Sequence, residues 1–148
     1  MGWGAAVPVF FVLLSLLLIV IFAVLKIKLQ FDEYVPLKVA IMGDGEDRKV
    51  LVETKKKRLE LKVRDFRRAS SKDVLEVRIN GLSLGKYRLG LYKGPYGYVE
   101  SYATSDSGVL IEDESGRKYF VAFKNSEELL DSLKERRAGR SPSTRSEV

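Results

Sequence analysis

An uncharged, apolar run at the N-terminus decides where the rest of this chain can lie. From Trp3 to Leu25 no residue is charged, and Ser15 is the only one that carries a hydroxyl group. As a helix, residues 4–25 would extend about 33 Å, which matches a bilayer hydrocarbon core of about 30 Å. We therefore predict that residues 1–25 form a transmembrane anchor helix in contact with the lipid bilayer.

A buried core helix and a cleaved signal peptide are the alternatives for this run. The run exceeds the length at which a core helix is the better interpretation. A signal peptide needs a basic start, an apolar stretch of about 7–15 residues and a small-residue cleavage site. No basic residue precedes the run, and its end, "FAVLKIK", offers no convincing cleavage site. The pattern favours a retained anchor.

The flanks of the run predict its orientation. Trp3 is expected at one membrane interface, and Lys26 and Lys28 at the other. Basic residues favour the cytoplasmic side, and Lys26, Lys28 and Lys38 all follow the run. We expect a single-pass protein of the cell membrane, with its N-terminus outside and its C-terminal domain in the cytoplasm.

The composition excludes the commonest catalytic and metal chemistry. The chain has no cysteine and no histidine, and so no disulfide, no thiolate nucleophile and no imidazole base or ligand. The close carboxylates at 44–47 and 112–114 lack the spacing of a calcium loop and are expected to be solvated turns. We predict no catalytic, cofactor or metal site and no small-molecule substrate, with an enzyme built on carboxylates as the alternative.

The net charge of +6 comes mostly from the two ends of the chain. Residues 134–148 hold five basic and two acidic side chains, and the middle of the chain is nearly neutral. Six tyrosines between positions 87 and 119 could stack nucleic-acid bases, but acidic residues lie among them and oppose phosphate. We expect no nucleic-acid partner.

After the apolar run the hydrophobic period changes to two, which predicts strands with one buried face. Turn sequences separate them at intervals typical of an antiparallel sandwich or barrel. The predicted strands are 26–31, 35–41, 51–52, 58–64, 75–79, 86–93, 97–103, 108–113 and 117–123.

One soluble helix is predicted near the C-terminus, at about 126–137. Asn125 can cap it, with Glu128 three residues later. Leu129, Leu130 and Leu133 form an apolar stripe that would cover an open end of the strands. Residues 138–148 are small, polar and basic, and are predicted to be a disordered tail.

The stretch 81–135 resembles the prokaryotic pleckstrin-homology-like families, which are often membrane-anchored and largely uncharacterised. It has the Leu84, Gly85, Tyr87 pattern, a strand that ends near Tyr102, the hairpin "VLIEDESGRKYFV" and the helix start "NSEELLDSLKE". The resemblance implies a barrel over residues 26–137 with one C-terminal helix. It supplies no catalytic residues, and such folds elsewhere bind phosphoinositides, peptides or partner domains, so the fold does not settle the function.

A basic run is the candidate site for anionic lipid or phosphate. It consists of Lys55, Lys56, Lys57 and Arg58. Such clusters near a membrane attract anionic headgroups. The alternative is a solvated hairpin whose lysines discourage edge pairing.

The dense glycines of 80–100 fit no phosphate-binding motif and precede no helix. We interpret them as fold determinants, with turns at Asn80-Gly81 and Gly94-Pro95 and with bulges or tight bends at Gly85 and Gly90. The five are Gly81, Gly85, Gly90, Gly94 and Gly97.

The combined prediction is a mainly β, membrane-anchored module without enzymatic activity. Its partner is expected to be a protein or a second copy of the chain, bound by strand addition at an open sheet edge. The alternatives are anionic-lipid binding through the basic run and a role as an accessory subunit of a membrane complex or transporter.

Overall fold

The computed structural model describes residues 3–43 and 48–137. The side chain of Trp3, the acidic loop 44–47 and the predicted tail 138–148 lie outside the described residues. The chain is mainly β, with a long N-terminal helix and a shorter C-terminal one. Its elements are α1 (Trp3–Tyr34), β1 (Lys38–Met42), β2 (Lys49–Glu53), β3 (Arg58–Ser70), α2 (Ser71–Val74), β4 (Val77–Leu84), β5 (Tyr87–Gly94), β6 (Gly97–Ala103), β7 (Ser107–Asp113), β8 (Lys118–Ala122) and α3 (Ser126–Arg137).

Helix α1 is long and apolar enough to cross a membrane. Its most apolar 18-residue window has a mean hydropathy of 3.2, and none of that window is buried against the rest of the protein. The helix continues to Tyr34, so the predicted strand at 26–31 is wrong. Extending an existing helix adds one hydrogen bond per residue fixed, which outweighs a weak period-two pattern. Pro36 ends it, because a proline disfavours helical geometry in the residue before it.

The eight strands form one open sheet in the order β1-β2-β3-β7-β8-β6-β5-β4. The expected barrel would join its two edges, whereas here β1 and β4 end the sheet on opposite sides. The expectation of a fully antiparallel sheet is also wrong, since β6 and β8 pair in parallel. In the sheet β8 lies between β6 and β7, and it pairs in parallel with β6 and antiparallel with β7.

The long strand β3 bends the sheet onto itself. Its first part pairs with β2 and its second part with β7, and the register shifts between Val63 and Asp65. The apolar side chains of β1, β2 and early β3 therefore pack on one face of β6, β7 and β8. The predicted leucine stripe of α3 is buried in the same core. The backbone carbonyl of Asn125 accepts the first helical bonds from the amides of Glu128 and Leu129.

The β4–β5 hairpin turns at Gly85–Lys86, so the predicted turn at Asn80-Gly81 is wrong. Gly85 has φ +58°, the positive value that the first position of a two-residue hairpin turn requires. Gly81 instead lies within β4, opposite Gly90. The two backbones approach so closely there that a Cβ on Gly90 would lie 2.5 Å from the carbonyl oxygen of Asn80.

The second hairpin has its turn where we predicted it. β5 ends at Gly94, β6 begins at Gly97, and the two glycines face each other across the turn. Gly97 has φ +87°. A Cβ on Gly94 would overlap the carbonyl oxygen of Val74, so this glycine also allows α2 to lie against the hairpin.

Candidate functional site

The best-defined polar cluster joins the end of α1 to the sheet. Lys57 comes from the β2–β3 turn, and its Nζ lies 3.1 Å from Oε1 of Glu100 on β6. The same ammonium lies 4.4 Å from the ring centroid of Tyr34 and 5.0 Å from that of Tyr102, both within cation–π range. We call Tyr34, Lys57, Glu100 and Tyr102 the joint. One lysine thus contacts α1 and β6 together.

Tyr102 is the buried centre of the joint. Its side chain is fully buried, its ring packs on Tyr34 at 5.3 Å, and its hydroxyl donates to Glu100 at 2.6 Å. Burial raises the pKa of the Tyr102 hydroxyl far above its ordinary value, and the hydrogen bond to Glu100 adds to the shift. The hydroxyl therefore stays protonated and acts as a hydrogen-bond donor. The Glu100 carboxylate is held by two donors, which suits a structural role.

The predicted basic run lies in what we call the lysine turn, residues 54–58. Lys55 Nζ lies 3.9 Å from Asp32 of α1, and Lys57 lies the same distance from Glu33. Arg58 pairs with Glu60 at 3.8 Å. The backbone N–H of Lys56 donates to the carbonyl oxygen of Asp32. The structure thus brings the run against the acidic end of α1. Of its four bases, only Lys56 has no carboxylate within 4 Å among the described residues.

A surface groove of about 480 Å³ lies beside the joint and shares Glu100 with it. Three tyrosines and two basic residues give it its chemical character. We call it the tyrosine groove, and it is lined by Leu91, Tyr96, Gly97, Tyr98, Glu100, Gly116, Arg117, Lys118 and Tyr119.

The tyrosines of the groove differ in exposure. Tyr98 is 59% exposed, whereas Tyr119 is buried and its pKa is raised, mainly by that burial. Tyr96 is half-buried and accepts a hydrogen bond from the guanidinium of Arg67 at 3.0 Å. Lys93 lies 5.3 Å from the ring centroid of Tyr98. The groove therefore presents aromatic faces with cations beside them.

Carboxylates of the acidic turn at 112–114 have hydrogen-bond and ion-pair partners within the chain. Oδ1 of Asp113 accepts from the backbone N–H groups of Ser115 and Arg117 at 3.0 and 2.9 Å. Glu114 pairs with Lys62 at 3.2 Å. Within 3–43 and 48–137 no three histidine, cysteine, aspartate or glutamate residues come together as a metal-binding group.

Sequence reasoning missed the joint and the groove as sites. In the sequence nothing distinguishes Lys57 from the other three bases of the run. The fold shows that, of the four, Lys57 is the one that reaches Glu100. Tyr98 and Tyr119 both belong to the tyrosine-rich segment of the sequence, but only the parallel pairing of β6 with β8 brings them together. Lys26 and Lys28, predicted at the membrane interface, are both exposed on α1, and Lys26 lines a surface cavity together with Arg78 of β4.

No protein-family model, no curated protein and no solved structure matches this chain.

Proposed function

We propose that this chain is a single-pass membrane protein whose β domain binds an acidic segment of a partner protein in the tyrosine groove, without enzymatic activity. The observation that carries the proposal is the lining of the groove, where the exposed Tyr98 lies next to Lys93 and the half-buried Tyr96 lies next to Arg67. Tyrosine and arginine are the residues that most often carry binding energy in protein interfaces. A groove beside a rigid sheet also needs little reorganisation on binding.

The charge of the groove selects the partner. Arg117 and Lys118 line it, and Lys93 lies over its exposed tyrosine. The one carboxylate in the lining, Glu100, is already neutralised by Lys57. The lining therefore carries two basic side chains against one carboxylate that is already paired, which favours an acidic segment and accelerates its association.

The membrane anchor supports a role at the bilayer surface. Helix α1 runs without interruption from its apolar part into the joint, so no flexible linker separates the domain from the anchor. We propose that α1 spans the cell membrane with the N-terminus outside and the domain in the cytoplasm, as Lys26 and Lys28 favour. A reporter fused after Val148 tests this: activity of a reporter that works only outside the cytoplasm would contradict it.

A pleckstrin-homology-like relationship is part of the proposal. The series of hairpins followed by one C-terminal helix supports it, and peptide binding is among the functions that the resemblance implies. The open sheet differs from the barrel that we expected. Lipid binding by the lysine turn has less support, because Lys55, Lys57 and Arg58 have carboxylates within 4 Å.

The groove is tested in the intact membrane by photocrosslinking. Benzoylphenylalanine replaces Tyr98 in the groove, and in a control chain it replaces the exposed Glu60 on β3. We expect a discrete adduct from position 98 that the double variant Arg117→Glu/Lys118→Glu abolishes. We also expect the purified full chain to bind an oligoglutamate peptide and not an oligolysine peptide. Equal adducts at both positions, or no preference for the acidic peptide, would contradict the proposal.

A further inference from the structure

Helix α1 crosses the strands of the sheet in a regular progression. Tyr34 packs on Tyr102 of β6, and Phe31 packs on Tyr87 of β5 with their rings 5.2 Å apart. Neighbouring strands lie about 4.8 Å apart, and a helix rises about 1.5 Å per residue, so a helix that runs perpendicular to strands passes one strand every three residues or so. The next strand, β4, should then be met near residue 28.

The contacts of α1 with β4 agree with this progression. Ala23, Lys26 and Ile27 form a cavity with residues 78–82 of β4. Because β4 is the last strand of the sheet, α1 leaves the sheet at this edge. The uncharged part of the helix, residues 4–25, has its C-terminal end at this edge of the sheet. If that part spans the bilayer, the edge strand β4 lies at the height of the lipid headgroups.

The surface of β4 is chemically suited to that position. Val77, Ile79 and Leu84 are about half exposed, at 55%, 47% and 53%. Arg78 and Lys86 are exposed between and beside them. From residue 77 to residue 99 the chain has four basic residues and no acidic one. Apolar side chains mixed with bases are typical of elements that lie in the membrane interface.

We propose that β4 and its turn, residues 77–86, form a face that binds the anionic headgroups of the same bilayer that α1 spans. This β4 face rests on the membrane-spanning part of the proposed function and is independent of the tyrosine groove. Charge complementarity and continuity with the anchor favour lipid as the occupant. An open edge can also pair with a strand of a second chain, and the test below separates that outcome.

Depth measurement on the full chain tests the β4 face. Because the chain has no cysteine, Ile79→Cys gives a single labelling site on β4, and Glu60→Cys gives a control site on β3, five strands away in the sheet order. The labelled proteins are reconstituted in vesicles of phosphatidylcholine, alone or mixed with phosphatidylglycerol, that contain a lipid-attached quencher. We expect strong quenching at position 79 that increases with the anionic lipid, and little quenching at position 60.

Charge reversal identifies the residues that hold the face to the lipid. Arg78→Glu/Lys86→Glu should cause a severalfold loss of quenching at position 79 in anionic vesicles. Lys56→Glu/Arg58→Glu changes the net charge equally but lies in the lysine turn, and it should leave the quenching unchanged. An equal loss in both double variants would show a general charge effect and overturn the assignment. Circular dichroism confirms that each variant is folded.

The remaining outcomes separate the proposals. A protein that does not stay in the vesicles after alkaline washing would overturn the membrane span and the β4 face together. A protein that stays inserted while the label at 79 remains fully accessible to water would overturn the β4 face alone. Self-quenching at 79 that depends on protein concentration, without quenching by lipid, would assign the edge to a second copy of the chain and also overturn the lipid face.

Discussion

The lysine turn and the β4 face are both basic, and they differ in what surrounds their charges. In the lysine turn four bases are consecutive, yet three of them have a carboxylate within 4 Å, from α1, β3 or β6. In the β4 face the bases are spread among apolar residues, and no acid occurs between residues 77 and 99. The denser run is therefore the more neutral surface.

The difference shows that the potential of a surface depends on which elements meet there. Asp32 and Glu33 belong to the last turn of α1, more than twenty residues before the lysines that they contact. Through these ion pairs the basic run holds the C-terminal end of α1 against the sheet. The β4 edge receives no acidic neighbour from α1, because the helix meets it at residues 23–27, where the only charge is Lys26.

The largest effect is expected from a substitution that disrupts the hairpin that carries the β4 face. Gly90→Val should cost about 4 kcal/mol or more of the free energy of unfolding. Gly90 has φ +109°, and a Cβ there would lie 2.5 Å from the Asn80 carbonyl oxygen and 2.7 Å from the Gly81 Cα. Neither backbone can move without breaking the β4–β5 pairing. Urea unfolding in detergent, followed by circular dichroism, measures the loss.

Gly85→Asn is the matched control for this prediction. Gly85 also has positive φ, at +58°, but nothing lies within 4 Å of an added Cβ. Only backbone strain opposes an asparagine there, because no neighbouring atom has to move, so the cost should be about 1–3 kcal/mol and less than that of Gly90→Val. A Gly90→Val chain as stable as Gly85→Asn would show that the close approach of β4 and β5 is not needed.

The second prediction tests whether the lysine turn holds the end of α1 to the sheet. Lys57→Met should cost about 2 kcal/mol of stability, because Glu100 loses its charged donor and two rings lose a cation. Lys56→Met, in the same turn and exposed, should be neutral. Adding Glu100→Gln to Lys57→Met should recover part of the loss, since no unpaired charge remains. Full additivity of the two substitutions, measured by the same unfolding assay, would contradict a coupled joint.

The third prediction is that the buried Tyr102 hydroxyl makes the protein less stable at alkaline pH. The pKa of Tyr102 is raised from its ordinary value of 10.0, first by burial and then by Glu100. Above pH 10 the unfolded chain releases this proton while the folded protein keeps it, so the unfolded state binds fewer protons and stability decreases. The contribution is constant below about pH 10 and decreases by about 1.4 kcal/mol per pH unit above it.

Tyr102→Phe isolates this effect. The variant lacks the titrating group, so its stability should decline less steeply above pH 10 than that of the unchanged chain. A smaller decline should persist, because the pKa values of Tyr92 and Tyr119 are also raised, mainly by burial. Identical pH profiles for the two chains would show that Tyr102 ionises as freely in the folded protein as in the unfolded chain.

Local patterns predicted the C-terminal half of the sheet well. The predicted strands 97–103 and 108–113 agree with β6 and β7 to within a residue, because each is bounded by a turn sequence. The period-two pattern at 26–31 was wrong, since a helix that is already formed extends through it. The turn predicted at Asn80-Gly81 is wrong because Gly81 lies within β4, where it allows a close approach to Gly90 that no local sequence signal reveals.

The pairing of distant elements limited the prediction of the sites. The parallel contact of β6 with β8 builds the tyrosine groove from residues about twenty positions apart. The end of α1 selects Lys57 over its neighbours through Tyr34 and Glu33. A charge run shows only that bases are present, whereas their partners depend on the whole topology.

The smallest effect on stability is expected within the lysine turn itself, at Lys55. Lys55→Met should change the free energy of unfolding by less than about 0.5 kcal/mol. Its side chain is 67% exposed, and its ammonium lies 3.9 Å from Asp32, at the outer limit of an ion pair. Lys57, two residues later, is 30% exposed and contacts two rings and two carboxylates. If Lys55→Met were as costly as Lys57→Met, the whole turn would act as one charged surface, and the joint would not depend on a single lysine.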